Sequence, residues 1–239
     1  VLYEGGISRT TLSSKHVKRK RKNERGKQLN LNKMETLIVN KIQFPEFTGI
    51  KCNMMPFIQG DDSSLPEIYK PYSKIINENY LEKGEVGFLT IHESFVEANK
   101  SQRGYNSKGI NRNVHIEVGR HDKINCWGGS GGSSWGGRYK TLLDDTTMVL
   151  IANSISDTCR FWNTKEMSFT KDGDLSEYIE RYPEHTGINL KSGEVAKISI
   201  FTPHECINQK ESGVRQFFRI VGKGVTGRED YFTVNPLMN

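Results

Sequence analysis

The chain has 239 residues, of which 35% are hydrophobic and 10% aromatic. That is enough to bury one good core, and β-rich sandwiches often occupy this length as a single domain. No apolar run reaches the roughly 18 residues that a bilayer span needs, and the first residues carry no apolar signal core. We therefore expect no membrane segment and no secretion, and an intracellular protein that is cytoplasmic, nuclear or held within a large assembly. Cys52, Cys126, Cys159 and Cys206 lack the paired spacing of a zinc ribbon and the density of a disulfide scaffold, so they read as reduced thiols.

The net charge of +6 is unevenly spread. Lys15, Lys18, Arg19, Lys20, Arg21, Lys22, Arg25 and Lys27 stand against Glu24 alone, which makes this stretch +7 and leaves the rest of the chain at −1. Residues 1–33 hold few large apolar side chains and cannot build a core, so they read as a basic, extended N-terminal arm. Its expected partner is a polyanion: RNA, DNA or an acidic protein surface. A large assembly would give such an arm a place to dock.

From Met34 onward a folded domain is expected, covering residues 34–239. Leu37-Ile38-Val39 and Ile42 suggest a first strand, and Pro45, Gly49 and Pro56 mark loops. Asp61-Asp62-Ser63-Ser64 supplies caps for a short helix around Pro66 to Tyr69, and Tyr72 to Glu82 reads as a second helix closed by Gly84. Both should cover a sheet. Strand-like runs follow at Gly87 to Val96, Asn113 to Gly119, Met148 to Asn153, Thr158 to Trp162, Val195 to Phe201, Val214 to Val221 and Tyr231 to Val234. Asp174 and Glu177 make a capping-box pattern that opens a helix at Leu175 to Arg181, with Pro183 just beyond its end. Many short strands, few helices and no βα alternation imply a mainly β fold, a sandwich or jelly roll with a few flanking helices. The glycines and tryptophans of Trp127 to Gly137 fit either a lid or a plain linker. They do not fit a phosphate loop, since no Lys-Ser/Thr and no helix follow.

The chemistry gathers on Val114-His115-Ile116-Glu117-Val118. In an extended strand residues two apart share a face, so His115 and Glu117 project together while the apolar neighbours pack behind. His204, after the apolar run Val195 to Phe201, is the best candidate for a second imidazole. Two His and one carboxylate on one face are the ligand set of iron(II) sites for oxygen chemistry. Arg215 or Arg219, on the strand after His204, could hold an acidic cosubstrate by a bidentate charge-assisted pair, although arginines four apart also describe a solvated or ion-paired face. His92 and Glu93 lie on the preceding strand. One of them could face the pocket as a proton shuttle, with His92 the chosen candidate, or serve as a hydrogen-bonded structural residue. His121 and Asp122 follow closely enough to compete with Glu117 as donors, but Gly119-Arg120 is expected to take them out of the strand. His185 carries no assigned role. There is no Gly-x-Ser-x-Gly elbow and no cysteine with a nucleophile's local signature.

Several stretches together resemble a group of uncharacterised eukaryotic and large-virus proteins that look like members of the double-stranded β-helix superfamily of cupins and iron(II)/2-oxoglutarate dioxygenases. They are Gly87 to Ser94, Ser101-Gln102-Arg103, Val114 to Glu117, Trp127-Gly128-Gly129, Ser156 to Trp162, Thr202 to Glu205, Arg215 to Arg219 and Asn235-Pro236-Leu237. The resemblance covers about residue 50 to the C-terminus and leaves the arm out. It implies a double-stranded β-helix, metal ligands at His115, Glu117 and His204, iron(II) or another divalent metal, and 2-oxoglutarate held by Arg215 or alternatively Arg219. Two departures are visible: the carboxylate is Glu where Asp is commoner, and the approach to the ligand His is the long Arg103 to Asn113. Two functions follow as expectations. One is a metal-binding oxygenase-type domain with a polyanion-binding arm. The other is a non-catalytic structural subunit of a ribonucleoprotein or virion that uses the jelly roll as scaffold and the arm to dock.

Overall fold

The β-branched and aromatic runs become strands in the computed structural model, which describes residues 37–100, 112–121, 124–127, 147–166, 173–222 and 232–238. The strands are β1 (Leu37–Lys41), β2 (Lys51–Ile58), β3 (Val86–Val96), β4 (Val118–His121), β5 (Ile124–Trp127), β6 (Met148–Asn153), β7 (Cys159–Phe161), β8 (Ile188–Asn189), β9 (Glu194–Ser199), β10 (His204–Cys206) and β11 (Gly213–Val221). They form an antiparallel sheet of order β1-β9-β6-β11-β3-β2, a smaller antiparallel sheet of order β10-β7-β8, and the β4–β5 pair. The expected mainly β architecture with few helices is the observed one. The basic arm and the Gly/Trp loop beyond Trp127 lie outside the described residues, as do Arg103 and Asp122.

The period of two along β11 sorts its side chains onto two faces of the large sheet. Arg215, Phe217 and Arg219 line a cavity that also takes residues from the small sheet. On the same face Val221 belongs to an apolar cluster with Val149, Ile151, Ile198, Phe161, Val114 and Ile116, against which Phe217 packs and which holds the two sheets together. Phe218 and Ile220 face the other way. There Leu89, Ile91, Leu150 and Phe57 join Tyr69, Tyr72, Ile75 and Ile76 in a second cluster. The 3-10 turn Glu67–Tyr72 and the helix Ser73–Glu78 thus cover the outer face, each buried large apolar side chain contributing about 1.5–3 kcal/mol.

Differences from the expected elements have local causes. The helix stops at Glu78 instead of Glu82, because the Asn79 amide donates to the Ile75 carbonyl and its backbone N–H to that of Ile76. β2 runs through Pro56, which was expected to mark a loop; β2 is an edge strand, where a missing N–H leaves no ladder partner short. Met54, at φ 49°, makes the bulge of β2 opposite β3. Residues 232–234 form no strand: the Thr233 N–H donates to the Asn53 carbonyl, and the Asn235 amide donates to the carbonyls of Pro56 and Ser64. The 175–181 segment is a 3-10 turn, Ser176–Arg181, kinked at Tyr178, and Asp174 accepts from the Ser176 N–H and hydroxyl.

One charge lies inside the outer layer. Glu93 is fully buried and accepts from the backbone N–H of Thr48 (2.8 Å) and Ile50 (2.9 Å), the Tyr72 hydroxyl (2.6 Å) and the Gln216 amide (2.8 Å). Burial alone would raise its pKa; the bonds from Tyr72, Gln216, Thr48 and Ile50 outweigh that and hold the carboxyl below its ordinary value. A depressed folded pKa stabilises above the unfolded carboxylate range near 4.3 and loses that contribution as pH falls through the lower folded value. Glu93→Gln should therefore cost about 2–3 kcal/mol at pH 7 in urea unfolding, with a smaller gap from wild type at pH 3. An equal gap at both pH values would contradict this account.

Candidate functional site

His115 and His204 are paired by their own backbones. The His115 N–H donates to the His204 carbonyl and the His204 N–H to that of His115, both at 2.9 Å. The expected strand Asn113 to Gly119 is interrupted after this bridge, because the Ile116 N–H turns to Gly173 and the Glu117 N–H to Ile200. No single neighbour accompanies the segment long enough to make a ladder, and regular pairing resumes only at β4. The same-face reading nevertheless holds: His115 and Glu117 both line the cavity, while Val114 and Ile116 are buried in the inter-sheet cluster.

The two imidazole rings lie 4.2 Å apart between centroids, tilted by 55°. Nδ1 of His115 is 2.7 Å from the Asn113 carbonyl and Nδ1 of His204 is 2.9 Å from the Thr202 carbonyl. A carbonyl only accepts, so each Nδ1 carries the proton and each Nε2 is the atom turned to other uses. Nε2 of His204 lies 3.4 Å from Oε1 of Glu117, and both side chains are buried. Two electron-rich atoms at that separation call for positive charge beside them; the Arg219 guanidinium supplies it on the Glu117 side, and a cation shared with His204 would supply it between them.

Around this trio the cavity has a volume of about 430 Å³. Arg219 sits in its wall, 2% exposed, with Nη1 3.2 Å from Glu117 Oε1 and Nη2 donating to the Thr90 hydroxyl at 3.1 Å. Arg215 donates through Nε and Nη2 to Asn153 Oδ1 at 3.1 and 2.7 Å and stacks near Phe217. The Asn153 amide nitrogen is buried and has no hydrogen-bond partner among the described residues. Lys51, opposite His92 in the β2–β3 register, completes a positive rim. Burial, then the charges of Lys51 and Arg215, lower the pKa of His92 and favour its neutral form.

The structure thus brings His115, Glu117, His204, Arg215, Arg219 and His92 to one cavity. It does not bring Glu93, which faces the outer layer, nor His185, which sits in the turn Glu184–Thr186. His121 closes β4, so its backbone is paired and has not left the strand as expected. Arg215 and Arg219 are 5% and 2% exposed, so neither belongs to a solvated face. Glu205, next to His204, points away and binds Arg112 and Arg160 at 3.0 and 2.8 Å, a support behind the small sheet. Among the described residues no group of three or more His, Cys, Asp or Glu is already gathered in metal-holding geometry.

Sequence reasoning missed Asn153, Thr90, Lys51, Cys159 and Cys206 as cavity residues. The alternation rule could have found some of them, since Thr90 is two residues from His92 and Cys206 two from His204. Lys51 and Cys159 needed the strand register. Comparison with protein-family models, with curated proteins and with solved structures returns no match for this chain.

The field on His92 is testable. In Lys51→Ala the midpoint of the His92 ring resonances should move upward while staying below that of a free histidine, because burial remains. An unchanged midpoint would show that Lys51 does not act on the site.

Proposed function

We propose that this chain is a divalent-metal-binding double-stranded β-helix protein of the iron(II)/2-oxoglutarate oxygenase type, with a basic arm that docks on a polyanion. The fold part rests on chain order. The series β3, residues 114–116, β6, β7, β9, β10 and β11 swings between the two sheets, with β9-β6-β11-β3 in one and β8-β7-β10 plus the His115 bridge in the other. Such swinging between two antiparallel sheets supports the jelly-roll reading.

The observation that carries the metal reading is the pair of imidazoles with Nδ1 tied to backbone carbonyls, beside a buried carboxylate 3.4 Å from His204 Nε2. Metal-ligating histidines are oriented by such a bond from their other nitrogen. Ligand atoms about 2.1 Å from a common ion are themselves about 3.0–3.4 Å apart, and the separation of His204 Nε2 from Glu117 is compatible with that spacing. His115, Glu117 and His204 would hold the ion. Bound there, iron(II) supplies dioxygen activation coupled to decarboxylation of a 2-oxo acid.

The remaining work belongs to the chain. Arg215 and the Asn153 amide nitrogen would bind a carboxylate, which answers the buried donor that Asn153 otherwise carries unsatisfied. Arg219, held by Thr90, sets the position of Glu117 and is the alternative carboxylate partner. His92, kept neutral at the mouth, can accept a proton at its imidazole. Phe217 and Ile151 limit water in the cavity.

Purified protein should contain about one equivalent of divalent metal, lost in both His115→Ala and His204→Ala. Succinate release from 2-oxoglutarate by wild type, absent in both variants and reduced at least tenfold in Arg215→Ala, would support the oxygenase chemistry. One contact favours a second reading, a non-catalytic scaffold within a ribonucleoprotein or virion. Arg219 already neutralises Glu117, so the carboxylate can be satisfied without a metal. Wild type that takes up no metal when iron(II) or zinc is supplied would select that reading.

The arm carries its own test. Deleting residues 1–33 should abolish retention on RNA or DNA and remove its salt dependence, because ten of the chain's lysines and arginines go with it. Undiminished retention would place the polyanion contact elsewhere.

A further inference from the structure

Cys159 on β7 and Cys206 on β10 are directly opposite each other in an antiparallel pair. Which kind of pair they make can be read from the neighbouring bonds. The Trp162 N–H donates to the Pro203 carbonyl and the Ile207 N–H to the Thr158 carbonyl. Those bonds flank the pair, so Cys159 and Cys206 occupy a non-hydrogen-bonded position, as Phe161 and His204 do two residues on. At such positions the Cα atoms approach to about 4.5 Å and the side chains stand closer than anywhere else on the ladder. A disulfide spans Cα separations of about 4.4–6.8 Å, so this kind of ladder position lies within bridging range. Both side chains face the cavity that holds His115 and His204.

We infer that Cys159 and Cys206 form a reversible cross-strand disulfide, a redox modification site in the wall of the cavity. The two sulfurs are unequally accessible: Cys206 is half-buried and Cys159 is 5% exposed. A small-molecule disulfide such as oxidised glutathione therefore meets Cys206 first. The Cys206 sulfur attacks one glutathione sulfur, the glutathione S–S bond breaks, and one reduced glutathione leaves with the proton. Cys159 then attacks the Cys206 sulfur, the mixed disulfide breaks, and the second reduced glutathione leaves. The protein loses two hydrogens and one glutathione disulfide is reduced. Cys52 lines the same cavity, but burial pushes its thiol up to about 12, so it is a poor competitor.

The consequence falls on the small sheet. Reduced, β7 and β10 share a ladder of three residue pairs. Oxidised, they are joined covalently two residues from His204, which adds a covalent tie to the hydrogen bonds already holding β10. The inference does not depend on a metal being bound.

Full-length protein is incubated over a series of oxidised-to-reduced glutathione ratios, quenched by alkylation, and its peptides are mapped. We expect a Cys159–Cys206 link that forms with rising oxidised glutathione, is reversed by dithiothreitol and raises the thermal midpoint by several degrees. In Cys159→Ser, glutathione should remain trapped on Cys206; in Cys206→Ser, Cys159 should stay reduced. Wild type in which both thiols remain alkylatable throughout would overturn the inference. So would a stable glutathione adduct on Cys206, or a link to Cys52 or Cys126. If either variant fails to fold, the wild-type peptide map alone decides.

Discussion

The reciprocal backbone bonds between His115 and His204 are the constraint on which the site depends. His204 belongs to β10, a regular strand between β7 and the His115 bridge. His115 belongs to a segment with no regular ladder of its own, whose next two N–H groups bond to Gly173 and Ile200. A segment bonded to three different neighbours in succession cannot slide, because each bond would have to break at once. The two imidazoles are therefore fixed relative to each other before any ligand arrives, as the positioning of a binding constellation requires.

The second constraint is the alternation of faces along β3 and β11. Because the two strands pair without a register shift, Arg219 stands opposite Thr90 and Gln216 opposite Glu93. The same pairing puts Arg219 and Thr90 into the cavity and Gln216 and Glu93 into the outer layer. A one-residue slip would exchange the two sets, burying Arg219 against Phe57 and Ile76 and carrying Glu93 into the cavity. Each polar group finds partners on its own side, Glu93 in Tyr72 and Gln216, Arg219 in Glu117 and Thr90. The polar contacts fix the register as firmly as the apolar ones.

Much of this was legible in the sequence, for a physical reason. Long strands with one buried face announce themselves by alternation, and β6, β9 and β11 fall where the apolar runs lie. His115, Glu117 and His204 were recoverable because the same period predicts which side chains share a face. What could not be read were features set by long-range pairing. The strand through Pro56 is allowed only because β2 is an edge, and whether a strand is an edge depends on residues far away in the chain. Asn153 and Cys159 enter the cavity through the register of β6 and β7 against strands distant in sequence. The Glu93 carboxylate could be named as a candidate but not assigned a face, since His92 beside it is equally polar. Only the packing of Tyr72 decides.

The charge balance of the cavity bears on what the site is for. Burying Arg219, Arg215 and Glu117 adds little stability, because desolvation of ions in a protein interior offsets most of their attraction. Apolar residues of similar volume would hold two sheets together at least as well. Three buried ionic groups, two oriented imidazoles and an amide nitrogen with no partner among the described residues, all in one cavity, therefore look less like a device for folding than like one for recognition. Among the described residues the cavity's cations outnumber its one carboxylate, which favours an anionic ligand over a neutral one, and His204 and Glu117 bring two electron-rich atoms face to face. An anion on the Arg215 side and a cation on the His204 side would each meet its opposite.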